Sequence, residues 1–180
     1  MAKIPRAALF VGVAVALAGC TTATRTPTPP LNPVSAHDVA ILTAMTGHMA
    51  TWNGAASDLI RTYPRSVSAI PGWVRSSKRD LSVMRQAGQA LTHDVGSLED
   101  GELKVNVLPL PTSLAEELSA VVELRQAVAR VDRTAQKAAQ AHLQAAAAQR
   151  QDAARVFIDY MSTRGVDAAV IAQLQALVQS

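Results

Sequence analysis

The feature of this chain that most limits its fold is a regular spacing of apolar residues after residue 35. Large apolar side chains recur at alternating intervals of three and four, at Leu42, Met45, Met49, Trp52, Ala56, Leu59 and Tyr63. This spacing forms one stripe along a helix, and its seven-residue period is typical of antiparallel helix packing. Ser35 is a good N-cap, Asp38 suits a first turn, and Pro64 ends the pattern. The pattern predicts a first helix that begins after Ser35.

Two glycines, Gly47 and Gly54, lie one heptad apart on another face of this helix. Each interior glycine costs about 1 kcal/mol of helix stability. Close approach of a second helix to that face would compensate, whereas a loose or kinked helix would not. The residues leave both interpretations open.

A second helix is predicted between Pro71, which suits a first turn, and Gly96, which suits a stop. The same alternation continues there at Ile70, Val74, Ser77, Leu81, Met84, Gly88, Leu91 and Val95. The two helices should form an antiparallel hairpin with Met, Leu and Trp side chains between them.

The helical period breaks between residues 97 and 111. Asp100-Gly101 is a turn pair, and Leu103, Val105 and Val107 alternate with polar residues. A single hairpin would be marginal alone, so we expect an extended crossover lying on the bundle. Pro109 and Pro111 should prevent this segment from running straight into a helix.

A third and longest helix is predicted from Ser113, which forms a capping-box pair with Glu116. Its apolar face carries Leu114, Leu118, Val121, Leu124, Val128 and Val131. Residues 135–154 are rich in Ala and Gln, with little to bury. If continuous to about Ser162, the helix would be roughly 75 Å long, and the first two helices could not cover it.

A last amphipathic helix should follow Gly165, with Asp167 as its cap. It carries Val170, Ile171, Leu174, Leu177 and Val178, and it could fold back on the alanine half or pair with another chain. The fold class is therefore predicted as all-α, an antiparallel helical bundle with one long Ala-rich helix.

The N-terminus has the order of a secretory signal peptide. Lys3 and Arg6 precede the uncharged run Ala7–Ala18, and small residues follow. A bilayer span needs about 20 apolar residues, and this run is shorter. The segment is better explained by export than by a transmembrane anchor.

The run closes on Leu17-Ala18-Gly19-Cys20, which contains the only cysteine of the chain. These residues resemble the lipobox of bacterial lipoproteins, with Leu17, Ala18 and Gly19 as the lipobox positions before the cysteine. The resemblance implies acylation of Cys20 and cleavage between Gly19 and Cys20. Two or three acyl chains on one residue would hold the protein on a membrane. Thr21, by the enteric sorting pattern, favours the outer membrane.

These features divide the chain into three parts. Residues 1–19 are the predicted signal peptide, residues 20–35 the lipidated cysteine and a Pro- and Thr-rich tether, and residues 36–180 a helical periplasmic domain. The tether would reach about 45 Å when fully extended at roughly 3.1 Å per residue.

The composition excludes several classes of function. Lys3 and Arg6 leave with the signal peptide, so the formal net charge falls from +3 to +1. No basic run is interleaved with aromatic residues, as single-stranded nucleic acid would require, and no nucleic-acid partner is expected. With its one cysteine acylated, the chain would have no disulfide, thiol chemistry or cysteine metal site.

No constellation typical of catalysis or of metal binding is found. His48, His93 and His142 fall one on each predicted helix, but Glu-x-x-His and HExxH pairs are absent. These histidines are interpreted as surface or capping residues, with no metal. There is no G-x-S-x-G elbow and no phosphate-binding loop, so neither enzyme activity nor a cofactor is expected.

Three hypotheses for function follow. The first is a lipid-anchored, non-catalytic scaffold or accessory subunit that contacts another envelope protein or itself, because the alanine half of the third helix needs something to pack on. The second is a periplasmic small-molecule or lipid binder with a groove lined by Met45, Met49, Trp52 and Met84. The third is a mobile-element lipoprotein of conjugative exclusion or phage lysis.

Overall fold

A computed structural model describes the backbone of residues 33–179 and the side chains of residues 33–177. Over that range it has six α-helices and one 3₁₀ turn, and no strand. They are α1 Ala36–Arg61, the 3₁₀ turn Val67–Ala69, α2 Ile70–Ser97, α3 Gly101–Val107, α4 Pro109–Ala129, α5 Arg133–Thr163 and α6 Ala168–Gln179. The all-α prediction is confirmed. None of these helices is both long and apolar enough to cross a membrane.

The helices form two hairpins and a closing helix. Helices α1 and α2 pack as one hairpin, α4 and α5 pack as the other, and α2 joins them by packing on α4. The short helix α6 contacts both α1 and α5. Its position is marked by Asn53 of α1, whose side-chain amide donates to the carbonyl of Leu177 at 2.6 Å. This arrangement is the predicted antiparallel bundle.

The stripe predicted on α1 and α2 forms the core between these helices. Leu42, Met45, Met49, Trp52, Leu59, Ile70, Leu81, Met84, Leu91 and Val95 are all buried. Trp73, which the predicted stripe omits, is also buried, and its indole N–H donates to the carbonyl of Leu59 at 3.3 Å. Tyr63 packs edge-on against Trp73 with ring centroids 5.4 Å apart.

The glycines of this hairpin have different surroundings. A Cβ at Gly88 would lie 3.3 Å from Cζ3 of Trp52, so this glycine leaves room for the indole ring. Gly47 and Gly54 are exposed, and a Cβ on either would meet nothing within 4 Å. Within the described residues, no second helix approaches that face of α1.

The predicted extended crossover between residues 97 and 111 is wrong, because this segment is helical. Asp100 caps α3 by accepting the N–H groups of Glu102 and Leu103 at 3.0 and 2.9 Å. Leu103 and Val107 are buried and Val105 is exposed, which is the period of a helix, since positions i and i+4 share a face.

The start of α4 also differs from the prediction. The helix begins at Pro109, so Pro109 and Pro111 both lie in its first turn, where a backbone N–H has no partner inside the helix. The predicted cap at Ser113 is wrong, because its hydroxyl lies inside α4 and donates to the carbonyl of Leu110 at 2.8 Å.

The predicted third helix is divided into α4 and α5, which pack antiparallel. The chain turns at Val131, whose φ is 55°, and Asp132 caps α5 by accepting the N–H of Ala135 at 3.0 Å. Helix α5 remains the longest and Ala-rich helix, and Ala139, Ala146 and Ala154 are buried. The alanine half therefore packs on α4 of the same chain, and the uncovered length expected from the sequence does not exist.

Candidate functional site

The residues predicted from sequence to carry function, Leu17, Ala18, Gly19 and Cys20, lie outside the described residues. So does most of the predicted tether, up to residue 32. The described chain begins at Pro33, two residues before the cap of α1. The predicted anchor therefore stays a prediction.

The most strongly connected polar cluster lies where the chain enters the body. Asp38 is only 1% exposed. Its two carboxylate oxygens accept the backbone N–H groups of Glu99 at 2.9 Å and Asp100 at 3.1 Å. From its sequence position, Asp38 was expected only as an acidic residue in the first turn of α1. Its observed role is to bind the start of α1 to the loop between α2 and α3.

Arg164, the C-cap of α5, completes this cluster from the other side. Its buried guanidinium donates to the carboxylate of Asp100 and to the hydroxyl of Tyr160, and it lies 3.5 Å from the carboxylate of Glu102. The backbone N–H of Leu103, and then Arg164, hold the pKa of the Asp100 carboxyl below its ordinary value of 3.8. The hydrogen bond with Asp100 in turn raises the pKa of Arg164.

A cleft of about 430 Å³ opens over this cluster. It is lined by Pro33, Ser35, Asp38, Glu99, Asp100, Glu102 and Arg164. At its base Asp38 and Asp100 accept backbone N–H groups, and Arg164 pairs with Asp100. These contacts support a structural junction of α1, α3 and α5.

Comparison with protein-family models, with curated proteins and with solved structures finds no match to this chain.

His48 and His142 each face acidic side chains of a neighbouring helix. His48 Nε2 is 3.4 Å from a carboxylate oxygen of Asp94, which joins α1 to α2. His142 Nδ1 is 2.9 Å from Glu123, and its Nε2 is 3.9 Å from Glu116, which joins α5 to α4. His93 is exposed. Among residues 33–177, no group of three or more His, Cys, Asp or Glu side chains is placed to hold a metal ion.

The Met and Trp residues proposed to line a ligand groove lie in the core. Met45, Met49, Trp52 and Met84 are each at most 1% exposed. The clefts at the two ends of α3 are lined by other residues. A ligand could reach the four side chains only if α1 and α2 separated, so the binder hypothesis has no preformed site here.

A buried ion pair joins α4 to α5. Arg150 Nε lies 2.8 Å from a carboxylate oxygen of Glu117, and both side chains are largely buried. The alignment is poor, and Arg150 Nη1 has no hydrogen-bond partner among the described residues. Burial raises the pKa of Glu117 above its ordinary value of 4.5, and Arg150 partly opposes that rise. Nothing in the sequence pattern pointed to this pair, since Glu117 and Arg150 are 33 residues apart.

An apolar cleft lies at the junction of α3 with α4, beside α5. Val105 and Leu108 are among the most exposed large apolar residues of the described chain, at 69% and 53%. The cleft is lined by Val105, Leu108, Pro109, Thr112, Ser113, Glu116, Gln149 and Ala153. This cleft was not predicted, because residues 97–111 were expected to form an extended crossover lying on the bundle.

Proposed function

We propose that the protein is a bacterial lipoprotein, held on a membrane by acyl chains on Cys20 and non-catalytic in its helical body. The observation that carries this proposal is the sequence Leu17-Ala18-Gly19-Cys20 at the end of an apolar run, with the chain's only cysteine at its last position. A free thiol is a liability in an oxidising compartment, and acylation would consume this one. The outer membrane is favoured by Thr21.

The described body is compatible with suspension from its N-terminus. Pro33 and Ser35 lie at one end of the bundle, beside the Asp38 cluster, and α1 begins immediately afterwards at Ala36. A tether that enters there would leave the long faces of α1, α2, α4 and α5 accessible to other molecules.

We further propose that this body acts as a scaffold or accessory subunit that contacts another envelope protein. The original reason for a partner, an uncovered half of a long helix, no longer applies, because α5 packs on α4. The exposed apolar cleft around Val105 and Leu108 supports a partner instead. Contiguous exposed apolar surface in soluble domains marks interaction sites more often than isolated apolar residues do.

The anchor is tested by Cys20→Ser in the full chain, expressed in a diderm bacterium and labelled with radioactive palmitate. We expect the wild-type chain to incorporate label, to lose its first 19 residues and to sediment with membranes. The Cys20→Ser chain should be unlabelled and unprocessed at this site. Thr22→Ser is the matched control and should behave as wild type. Identical size, labelling and membrane fraction for wild type and Cys20→Ser would refute the anchor.

The partner is tested by crosslinking in intact cells, followed by pull-down of the acylated protein from its own membranes. We expect a specific protein adduct that is weakened by Val105→Ser with Leu108→Ser. Val67→Ser, an exposed valine at the opposite end of the bundle, is the control and should leave the adduct unchanged. Recovery of neither a partner protein nor a self-adduct would overturn the scaffold proposal.

A further inference from the structure

The near-neutral charge of the chain hides a strong segregation along the bundle. Residues 58–80 and 125–137, which form the two hairpin turns and the helix ends beside them, contain nine Lys or Arg and three Asp or Glu. The other residues from 33 to 179 contain five Lys or Arg and eleven Asp or Glu. One part of the bundle is therefore strongly basic, and the other is strongly acidic.

The two basic segments lie at the same end of the molecule. Arg125, near the C-terminus of α4, donates to the carbonyl of Val74 at 2.8 Å and to the hydroxyl of Ser77 at 2.9 Å, both in the first turns of α2. The turn between α4 and α5 therefore lies beside the turn between α1 and α2. We call this region the basic end.

Most cations of the basic end are exposed and available. Its exposed basic residues are Arg61, Arg65, Arg75, Lys78, Arg79, Arg130, Arg133 and Lys137. Among the described residues, Arg61 is the member of this group that forms a salt bridge, with Asp58. By contrast, Arg150, Arg155 and Arg164 elsewhere in the bundle are all paired with acids.

The basic end also carries exposed apolar side chains. Ile60, Val67 and Val131 are 42%, 54% and 48% exposed, and they lie in the last turn of α1, the 3₁₀ turn and the α4–α5 turn. Three of the six exposed large apolar residues of the described chain are thus at its most basic end. Exposed aromatic residues, which would stack on nucleic-acid bases, do not occur there among the described residues.

Val131 is held in an unfavourable backbone conformation at this tip. Its φ of 55° lies in the left-handed region, where a β-branched residue is rare and glycine is usual. The corresponding position after α5 is Gly165, with a φ of 69°. The α4–α5 turn therefore presents an exposed valine where a glycine would be less strained.

We propose that the basic end docks on an anionic phospholipid bilayer, with Ile60, Val67 and Val131 reaching the headgroup boundary and the surrounding Arg and Lys binding phosphates. Surface binding of this kind depends on exposed apolar area together with attraction between cations and anionic lipids. Arg also binds phosphate oxygens in a bidentate manner. The acidic remainder of the body would be repelled, so the bundle would meet the bilayer by its turns.

This proposal uses only residues of the described bundle and does not depend on acylation. If Cys20 is acylated, the same bilayer is within reach. Helix α1 is about 39 Å long at 1.5 Å per residue, and the predicted tether spans about 45 Å. A body held at its acidic end could therefore turn its basic end onto the membrane that holds the anchor.

The test is co-sedimentation of the Cys20→Ser chain, in which no acyl chain can hold the protein on a bilayer, with vesicles of phosphatidylcholine alone and of phosphatidylcholine mixed with phosphatidylglycerol. We expect preferential binding to the mixed vesicles, weakened by salt. Each cation near an anionic surface contributes roughly a fivefold factor in binding, so Arg65→Gln, Arg130→Gln and Arg133→Gln together should lower binding about a hundredfold. The matched control is Arg85→Gln, Lys104→Gln and Arg155→Gln, which removes equal charge elsewhere and should lower binding only severalfold.

A second readout locates the contact. Trp52 and Trp73 are buried, so Val67→Trp adds an exposed tryptophan at the tip. Brominated phosphatidylglycerol vesicles should quench the added emission, and a Val105→Trp control at the opposite end should be much less quenched. This readout does not require a charge variant to fold.

Three results would overturn the proposal. The first is equal binding to neutral and mixed vesicles, and the second is an equal loss of binding in the two triple variants. The third is release of the protein from vesicles by duplex DNA at stoichiometric concentration, because that result would assign the surface to nucleic acid. The same measurements on the chain with Cys20 intact separate this proposal from the anchor, because acylation should raise binding to both kinds of vesicle without creating a preference for phosphatidylglycerol.

Discussion

Asp38 and Glu99 are bound to each other across 61 residues of sequence, the carboxylate of the first accepting the backbone N–H of the second at 2.9 Å. The other oxygen of Asp38 accepts the N–H of Asp100 at 3.1 Å. One buried side chain thereby holds the start of α1 against the loop that ends α2. The same loop provides Asp100, the cap of α3 and partner of Arg164.

Replacing Asp38 by alanine should destabilise the fold by about 2–3 kcal/mol, because two partly buried N–H groups lose a charged acceptor. The measurement is the urea midpoint of the full chain, followed by circular dichroism. Asp58→Ala is the matched control, since the Asp58 side chain is half-exposed and forms an ion pair with Arg61 of its own helix. It should change stability by less than about 0.5 kcal/mol. Equal effects of the two substitutions would contradict the role of Asp38.

Acid should weaken the junction through Asp100. Its folded pKa is lowered, so in the folded state it binds fewer protons than in the unfolded state. Its contribution to stability is present above the ordinary value of 3.8 and is lost as pH falls through the folded pKa. We expect Asp100→Asn to be less stable than wild type at neutral pH and to differ progressively less below about pH 4. A constant difference across that range, measured by urea unfolding, would exclude this linkage.

The buried pair of Glu117 and Arg150 should give stability the opposite pH dependence. The pKa of Glu117 is raised, so folding favours its protonated form, and stability falls as pH rises from 4.5 through the folded pKa. Arg150→Met removes the cation that opposes this rise and should cost about 3 kcal/mol at neutral pH. This loss of stability should become smaller as the pH is lowered towards the ordinary pKa of Glu117, because the protonated carboxyl needs no cation.

Two further variants test whether the destabilisation by Arg150→Met comes from leaving the buried Glu117 carboxylate without its cation. Glu117→Leu with Arg150→Met removes both charges and should recover most of the stability, because a poorly aligned buried pair adds little over apolar packing. Arg155→Met breaks an exposed pair with Asp152 and should be nearly neutral. Thermal unfolding at two pH values measures all three. A double variant no more stable than Arg150→Met would count against our account of the pair.

The sequence predicted the first hairpin well, because burial of a regular stripe decides both its helices. Leu42, Met49 and Trp52 lie in the core as their spacing indicates. The alternation at Leu103, Val105 and Val107 was misleading, since two buried positions four apart also fit one face of a helix. The Asp38 and Arg164 contacts could not be predicted. An acid such as Asp38 at the start of a helix, or a base such as Arg164 at its end, is already explained by the helix dipole. Their acidic-loop partners, Glu99 and Asp100, lie more than sixty residues away in sequence.

The division of the third helix was missed because residues 130–132 contain no glycine, proline or asparagine to mark a turn. Asp132, a good N-cap, was the available signal. Of the predicted functional site, Cys20 and its lipobox remain a prediction. The segregation of charge was detectable in the sequence only once the hairpin topology showed that residues 58–80 and 125–137 share one end.

Val131 and Gly165 occupy equivalent positions after α4 and α5, and exchanging their residue types should move stability in opposite directions. The Asp132 N–H donates to the carbonyl of Ala127, and the Val166 N–H donates to that of Met161, so both turns close with the same bond, from residue i to residue i−5.

Left-handed geometry costs a residue with a Cβ roughly 1–2 kcal/mol, and glycine recovers most of this despite its greater freedom when unfolded. We expect Val131→Gly to stabilise the fold by about 0.5–1 kcal/mol and Gly165→Val to destabilise it by about 1–2 kcal/mol. Urea unfolding measures both, and a destabilised Val131→Gly would show that the valine side chain contributes packing that outweighs its backbone strain. If the basic end binds lipid, the more stable Val131→Gly protein should also bind phosphatidylglycerol vesicles more weakly. That combination would show that the Val131 side chain contributes to lipid binding and not to the stability of the fold.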